Sequence, residues 1–146
     1  MQFKINGDKI TITGVDGELD AEQFTHVWTT MQQAHEALRQ SMALIRFRDV
    51  LIPAGMAWLD EHYPDHVQRV DLDQLDLRYG YRCPLGQASG MHYADAVTGH
   101  DLDRSWRAYQ LGFILHQPEG VTFAEGTRLW IEAYQARRQG DQKSAS

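Results

Sequence analysis

The sequence predicts a mainly α-helical fold in which a short N-terminal β-hairpin precedes one long helix. The hairpin gives the fold a minor α+β character. Three observations predict it. Apolar residues alternate over the first 13 positions, recur at helical spacing from Phe24 to Ile45, and recur at that spacing again near Trp58 and Trp130. The chain has 146 residues, a common size for one domain. We therefore expect a compact helical domain over residues 1–139, with the hairpin at 2–13, the helical body at 20–139 and a disordered tail at 140–146.

The hairpin is predicted from two short apolar pairs that flank a turn sequence. Phe3 and Ile5 precede Asn6-Gly7-Asp8, and Ile10 and Ile12 follow it. Asn-Gly readily adopts the positive φ values of a tight turn, and pairing around it would place Phe3 opposite Ile10. Because an isolated hairpin is marginal in water, we expect the following helices to cover one of its faces.

A long helix is predicted from about Asp20 to about Phe47. Asp20 and Gln23 form a capping box, and Leu19 and Phe24 are placed to form a hydrophobic staple around it. Apolar residues at helical spacing are expected to face the core: Phe24, Val27, Trp28, Met31, Leu38, Met42 and Ile45. The opposite, water-facing side carries Gln32, Gln33, Glu36 and Arg39. A helix of this length, on the order of 40 Å at 1.5 Å per residue, is long for so small a domain and invites partner contacts as the alternative to internal burial.

Shorter segments complete the predicted fold. A second helix runs from Pro53 to about His62, and Pro64 ends it because proline cannot continue the hydrogen-bond ladder. Its apolar stripe is expected to comprise Ile52, Met56, Leu59 and Tyr63. Residues 70–77 are either a short helical turn or an extended connector, and a helix is expected at 101–109. A second capping box, Thr122 with Glu125, opens a last helix through about Arg138.

Composition and charge exclude several classes of protein. The formal net charge is −6 and the isoelectric point is about 5.5. Because duplex nucleic acid and membrane surfaces are polyanionic, we expect the chain to bind neither directly. Cys83 is the only cysteine, so no intrachain disulfide can form, and we find no signal-peptide or membrane-spanning run. The sequence therefore predicts a cytoplasmic protein.

The stretch 78–101 holds the candidate binding residues. It is predicted to be irregular and is rich in glycine and aromatic residues, which is typical of segments that carry function. Its candidate side chains are Tyr79, Tyr81, Cys83, His92, Tyr93, Asp95 and His100. His92, Asp95 and His100 combine nitrogen and oxygen donors, which suggests a small-ligand or metal-dependent site if the fold brings them together. Their spacing does not require convergence, so we assign none of them as catalytic or metal-binding.

Motifs of the common enzymes are missing from the sequence. It contains no phosphate-cradling glycine loop, nucleophile elbow or HExxH pair, which favours a non-enzymatic protein without a cofactor. His62 and His66 have the spacing of zinc ligands on a helix, but Pro64 lies between them, so exposed turn histidines are expected. The run from Asp60 to Asp76 is strongly acidic and suggests, as an alternative function, a surface that mimics nucleic acid.

Residues 55–138 resemble a pattern in small proteins encoded by actinobacterial phages and their prophages. In order, the pattern comprises WLDEHYP at 58–64, VDLDQLDL at 70–77, RCPLGQ at 82–87, LGF at 111–113 and a terminal amphipathic helix. The resemblance implies a phage-encoded protein that acts in the host cytoplasm, and it carries over no catalytic residue. Some relatives have a second cysteine at the position of Gly80, so the resemblance does not extend to a paired-thiol role for Cys83.

The function that these observations favour is that of a small, non-enzymatic interaction protein. We expect it to bind a host or phage protein through an exposed aromatic or helical surface, with a homo-oligomer along the first helix as one form of that contact. The four tryptophans and six tyrosines supply many large, rigid rings, which anchor protein interfaces well. The alternatives are a small-ligand or metal-dependent site in 78–101 and an acidic nucleic-acid mimic.

Overall fold

A computed structural model describes residues 2–6, 9–13, 21–115 and 120–145, with side-chain surroundings for 21–104, 106–115 and 120–144. Most of these residues are helical, as the sequence predicts. Asp20 and Leu19, which complete the predicted capping box and staple of the first helix, lie outside the described residues.

Two strands, β1 (Gln2–Asn6) and β2 (Lys9–Thr13), pair antiparallel, and both contact the first helix. Their register places Phe3 opposite Ile12 and Ile5 opposite Ile10, rather than Phe3 opposite Ile10. This register matches each of the four apolar positions with another apolar position, which the predicted register would not. The turn and the side chains of the hairpin lie outside the described residues.

The first helix, α1 (Ala21–Arg46), continues without a break through a π-helical turn (Phe47–Leu51) into α2 (Ile52–His62). The residues that flank the π turn keep helical dihedral angles, with φ −61° and ψ −44° at Arg46 and φ −62° and ψ −47° at Ile52. A π turn holds one residue more than the equivalent α turn and therefore rotates the following residues by about a quarter of a turn. Apolar residues before and after the turn consequently face different surroundings.

The prediction that the apolar stripe of the first helix faces the core is wrong. Five of its members are exposed, namely Phe24, Trp28, Met31, Met42 and Ile45, while Val27 and Leu38 are half-buried. The stripe of α2 behaves as predicted, since Ile52, Met56 and Leu59 are buried. The rotation at the π turn explains the difference, because it gives the two stripes different directions although their spacing in the sequence is continuous.

The core forms where α2 meets the C-terminal half of the chain. Its largest fully buried side chains are Trp130, Tyr134, Phe47, Leu59, Leu85 and Leu111. Trp130 donates its indole N–H to the carbonyl oxygen of Gly112 at 2.8 Å, so its one polar atom is satisfied in the interior. Among the described residues, every buried side-chain nitrogen and oxygen has a hydrogen-bond partner.

Two short helices, α4 (Pro84–Ser89) and α5 (Tyr93–Gly99), occupy the stretch that the sequence predicts to be irregular. The Cys83 sulfur accepts a hydrogen bond from a backbone N–H of α4 at 3.2 Å, and His92 Nδ1 does the same for α5 at 3.2 Å. Gly90 ends α4 in the left-handed conformation, with φ 71°. The sequence signals α4 only through Pro84 at its start and Gly90 after its end, and cysteine and histidine are not the usual capping residues of either helix.

The remaining helices are α3 (His66–Arg69), a 3₁₀ turn at Arg104–Trp106 that leads into α6 (Arg107–Gln110), and α7 (Phe123–Ala145). The helix predicted at 101–109 is broken because Asp101 and Trp106 adopt left-handed φ values of 58° and 57°.

The start of α7 follows the prediction and its end does not. Thr122 and Glu125 form the expected capping box, with the Glu125 N–H bonded to Thr122 Oγ1 at 3.1 Å and the Thr122 N–H bonded to Glu125 Oε1 at 3.2 Å. The helix then continues to Ala145 instead of ending near Arg138. An i,i+4 ion pair between Arg137 and Asp141, at 3.4 Å, supports the additional turns.

A buried polar network ties α2, α3 and α7 together. His66, which is fully buried, contacts the Tyr134 hydroxyl through Nδ1 at 2.8 Å and an Asp60 carboxylate oxygen through Nε2 at 2.9 Å. Arg137 donates two hydrogen bonds to the same carboxylate, at 2.9 and 3.0 Å. A carboxylate only accepts, so Nε2 carries a hydrogen, and in the neutral form of the ring Nδ1 accepts from the tyrosine hydroxyl. The expectation of an exposed turn histidine is therefore wrong for His66.

Candidate functional site

The most unusual surface of the molecule is the exposed row of α1. Phe24, Trp28, Met31, Met42 and Ile45 are each between 37% and 60% exposed. Single exposed apolar residues are ordinary, whereas a contiguous row of large ones usually marks a contact surface.

The row has the spacing of a coiled-coil seam. With His35 and Leu38 included, its intervals alternate between four and three residues over the whole of α1, through Phe24, Trp28, Met31, His35, Leu38, Met42 and Ile45. We call these seven residues the α1 seam. A mean interval of 3.5 residues is the repeat that keeps one helix in continuous contact with another helix.

A different row of α1 faces the rest of the chain, and its residues are mostly small. Thr30 and Ala34 are buried, and Val27, Ala37 and Ser41 are half-buried. The Thr30 hydroxyl donates to the carbonyl oxygen of His26 at 2.9 Å, so this polar group is satisfied within the helix. The chain thus covers mainly small residues of α1 and leaves five of its large apolar residues facing water.

The sequence-predicted tyrosines of the 78–101 stretch lie at its surface. Tyr79 and Tyr81 are both more than half exposed. The guanidinium groups of Arg78 and Arg82 lie over the Tyr79 ring, 5.7 and 5.1 Å from its centroid. Tyr81 meets the His92 ring edge-on, with the centroids 5.0 Å apart.

One pocket of about 280 Å³ has Cys83, His92 and Tyr93 in its wall. The apolar part of its lining consists of Leu77, Phe113, Ile114 and Phe123. Burial raises the pKa of the Cys83 thiol, and the thiol is only 2% exposed. Burial also raises the pKa of Tyr93 to about 12. These shifts leave both groups protonated near neutral pH, so neither has the activation expected of a nucleophile or general base.

His100 and Asp95 do not join that pocket. Asp95 is exposed, and His100 contacts a separate aromatic cluster at the other end of α5. The His100 Nε2 and the Tyr63 hydroxyl are 2.6 Å apart. Burial lowers the pKa of His100, and the electrostatic effect of the nearby His62 lowers it further. No three metal-ligating side chains come together anywhere in the described parts of the chain.

The aromatic cluster around His100 is a feature that sequence reasoning missed. Trp58 stacks on His62, with the centroids 3.9 Å apart and the planes inclined by 15°, and meets the edges of His100 and Phe113. The i,i+4 spacing of Trp58 and His62 signals their contact. Nothing local signals His100, which is far away in the sequence.

These features define a mainly helical protein that carries an exposed, heptad-spaced helix face. No family model matches the chain, and comparisons with curated proteins and with solved structures also give no match. Across the helices that the structure describes, none is both long and apolar enough to cross a membrane.

Proposed function

We propose that this chain is a small, non-enzymatic interaction protein that binds another protein through the α1 seam. The observation that carries the proposal is the exposure of Phe24, Trp28, Met31, Met42 and Ile45 along one face of a helix. Aromatic and methionine side chains are enriched at protein interfaces, and aromatic rings bury much apolar area at a low cost in side-chain entropy.

The resemblance of residues 55–138 to small phage-encoded proteins extends this proposal to the biology. In that setting the chain acts in the cytoplasm of a bacterial host and binds a host or phage protein. The seam lies before the resembling region, so the proposal of a contact surface does not depend on the resemblance.

Methionine footprinting tests the proposal whatever the identity of the partner, because peroxide oxidises exposed thioethers. We expect Met31 and Met42 to be oxidised more slowly in a host lysate than in dilute purified protein. Met91, which is 40% exposed and lies outside the seam, is the matched control, and its oxidation gives the peroxide dose in each sample. Oxidation of Met31 and Met42 at the same rate relative to Met91 in the lysate and in purified protein at every concentration would contradict the proposal.

A second candidate function is small-ligand binding in the pocket beside α5. It is favoured by the pocket's volume of about 280 Å³ and by the polar groups of Cys83, His92 and Tyr93, which line the pocket together with apolar side chains. Such a ligand raises the melting temperature of the protein, because it binds only the folded state. A thermal-shift screen of metals and nucleotides in which no compound raises that temperature counts against this function.

The acidic-mimic alternative has less support. Two carboxylates of its run are engaged by arginines, Asp60 by Arg137 and Asp76 by Arg78 at 2.8 Å. Side-chain hydrogen bonds from Arg78 lower the pKa of Asp76. Their charge is thus largely compensated locally, which weakens the field that a polyanion mimic needs.

A further inference from the structure

We infer that the partner of the α1 seam is the same seam on a second copy of this chain, and that the two copies form an antiparallel, two-stranded coiled coil. This inference rests on the proposed function and names the protein that occupies its surface. Three observations support it: the spacing of the seam, its area and the distribution of its side chains.

The spacing favours a helix as the occupant. A seam that alternates four- and three-residue intervals inserts its side chains into the gaps of another helix with the same repeat. A flat or globular partner imposes no such repeat. A second α1 carries it, and is present wherever the protein is. His35 is the one polar member, at the centre of the seam, and single polar residues at such positions are known to fix the register of coiled coils.

The exposed area is sufficient for a specific dimer. Rings and thioethers that are about half exposed over five positions present on the order of 500 Å² per copy, so a symmetric pair removes roughly 1,000 Å² from water, the threshold for a specific interface. The same face also matches itself under two-fold symmetry, which an isologous dimer requires.

The order of side chains along the seam favours the antiparallel arrangement. The aromatic residues, Phe24 and Trp28, are at its N-terminal end, and aliphatic residues occupy its C-terminal end. A parallel pair would place ring on ring in adjacent layers. In the antiparallel pair, Phe24 faces the partner's Met42 and Trp28 faces the partner's Leu38, so each layer combines one large and one smaller side chain.

Charge and backbone dipoles favour the same direction. Glu22 lies in the first turn of α1 and Arg46 in its last turn, so antiparallel copies bring opposite charges to each end. Antiparallel packing also places the positive end of each helix dipole beside the negative end of the other.

Sedimentation equilibrium of the purified full-length protein over a range of concentrations tests the inference. We expect a reversible dimer. The Trp28→Ser variant should weaken it at least about 30-fold, because the substitution removes a large aromatic anchor from both copies. Trp106→Ser is the matched control, since Trp106 is 68% exposed and lies outside the seam, and it should leave the dimer unchanged.

Two further measurements keep the test decisive if Trp28→Ser misfolds. Met31 and Met42 of the wild-type protein should become protected from peroxide as its concentration rises, while Met91 does not. The Phe24→Cys variant should give no disulfide-linked dimer, because residue 24 of antiparallel copies lies roughly 25–30 Å from its counterpart.

The outcomes separate this inference from the proposed function. A monomer at every concentration, or a dimer that Trp28→Ser leaves intact, overturns the self-pairing, and efficient cross-linking at position 24 overturns its direction. If the purified protein is monomeric and Met31 and Met42 are protected only in lysate, the seam binds a different protein and the proposed function stands. If no sample shows protection, both proposals fail.

Discussion

Replacing Tyr134 by phenylalanine tests the buried network that joins α2, α3 and α7. The substitution keeps the ring, which is fully buried, and removes the hydroxyl that lies 2.8 Å from His66 Nδ1. His66 then keeps its contact with Asp60 but has a buried nitrogen without a partner. Because an unsatisfied buried polar group costs about 1–3 kcal/mol, we expect Tyr134→Phe to lower the free energy of unfolding by that amount.

Urea titration provides the measurement, with a lower midpoint expected at an unchanged slope. Tyr109→Phe is the matched control. The Tyr109 hydroxyl accepts an exposed hydrogen bond from Arg46 at 3.0 Å, and its removal should change stability by less than about 0.5 kcal/mol.

Alkaline pH gives a second readout of the same substitution. Burial raises the pKa of Tyr134 above its ordinary value of 10.0. The stability that this neutral hydroxyl contributes is complete below pH 10 and is lost as the pH rises towards the folded-state pKa, because the unfolded chain ionises first. The difference between wild type and Tyr134→Phe should therefore shrink above pH 10. A Tyr134→Phe variant as stable as Tyr109→Phe, with the same alkaline profile as wild type, would refute the reasoning.

Three further predictions concern the core and its polar groups. Gly55→Ala should destabilise the fold by at least about 3 kcal/mol, because the new Cβ would lie 2.0 Å from the Leu111 carbonyl oxygen. Gly140→Ala, where the new Cβ has no atom within 4 Å, should instead stabilise α7 by up to about 1 kcal/mol. The urea midpoints of both variants check this, and equal effects would contradict it. Cys83 should react with a thiol reagent only as fast as the protein opens, and rapid labelling without denaturant would show that its site is accessible. Burial acts to raise the pKa of Asp60, but hydrogen bonds from Arg137 and His66 together outweigh it and lower that pKa below 3.8. The ionised carboxylate therefore stabilises the folded state above about pH 4, and this stabilisation is lost as the pH falls through the lower folded-state pKa. Asp60→Asn should make the free energy of unfolding less dependent on pH in acid, and an unchanged dependence would contradict this.

Sequence reasoning predicted the helices that have strong local signals. The α2 stripe, its end near His62 and the Thr122–Glu125 capping box all lie where the pattern places them. It failed for α4 and α5, because their caps come from Cys83 and His92, and for the break at Trp106, whose left-handed φ has no local signature.

The exposed face of α1 illustrates a different limit. Its periodicity is evident in the sequence, but periodicity indicates that apolar residues share a face, not what covers that face. The π turn at Phe47–Leu51 decides the matter, and the sequence alone does not reveal it, because Ile52, Met56 and Leu59 continue the seam's spacing through it. Likewise, the separation of His92 from His100 follows from the packing of α5, which their spacing does not determine.

The π turn also has a consequence for changes in chain length. Deleting one residue between 47 and 51 would remove the extra residue of the turn while α1 and α2 kept their present relative orientation, although Pro53 would still deprive the joined helix of one backbone hydrogen bond. Inserting one residue there would roll α1 about its own axis by about 100°. It would then turn Phe24 and Trp28 towards a new direction without altering a single side chain.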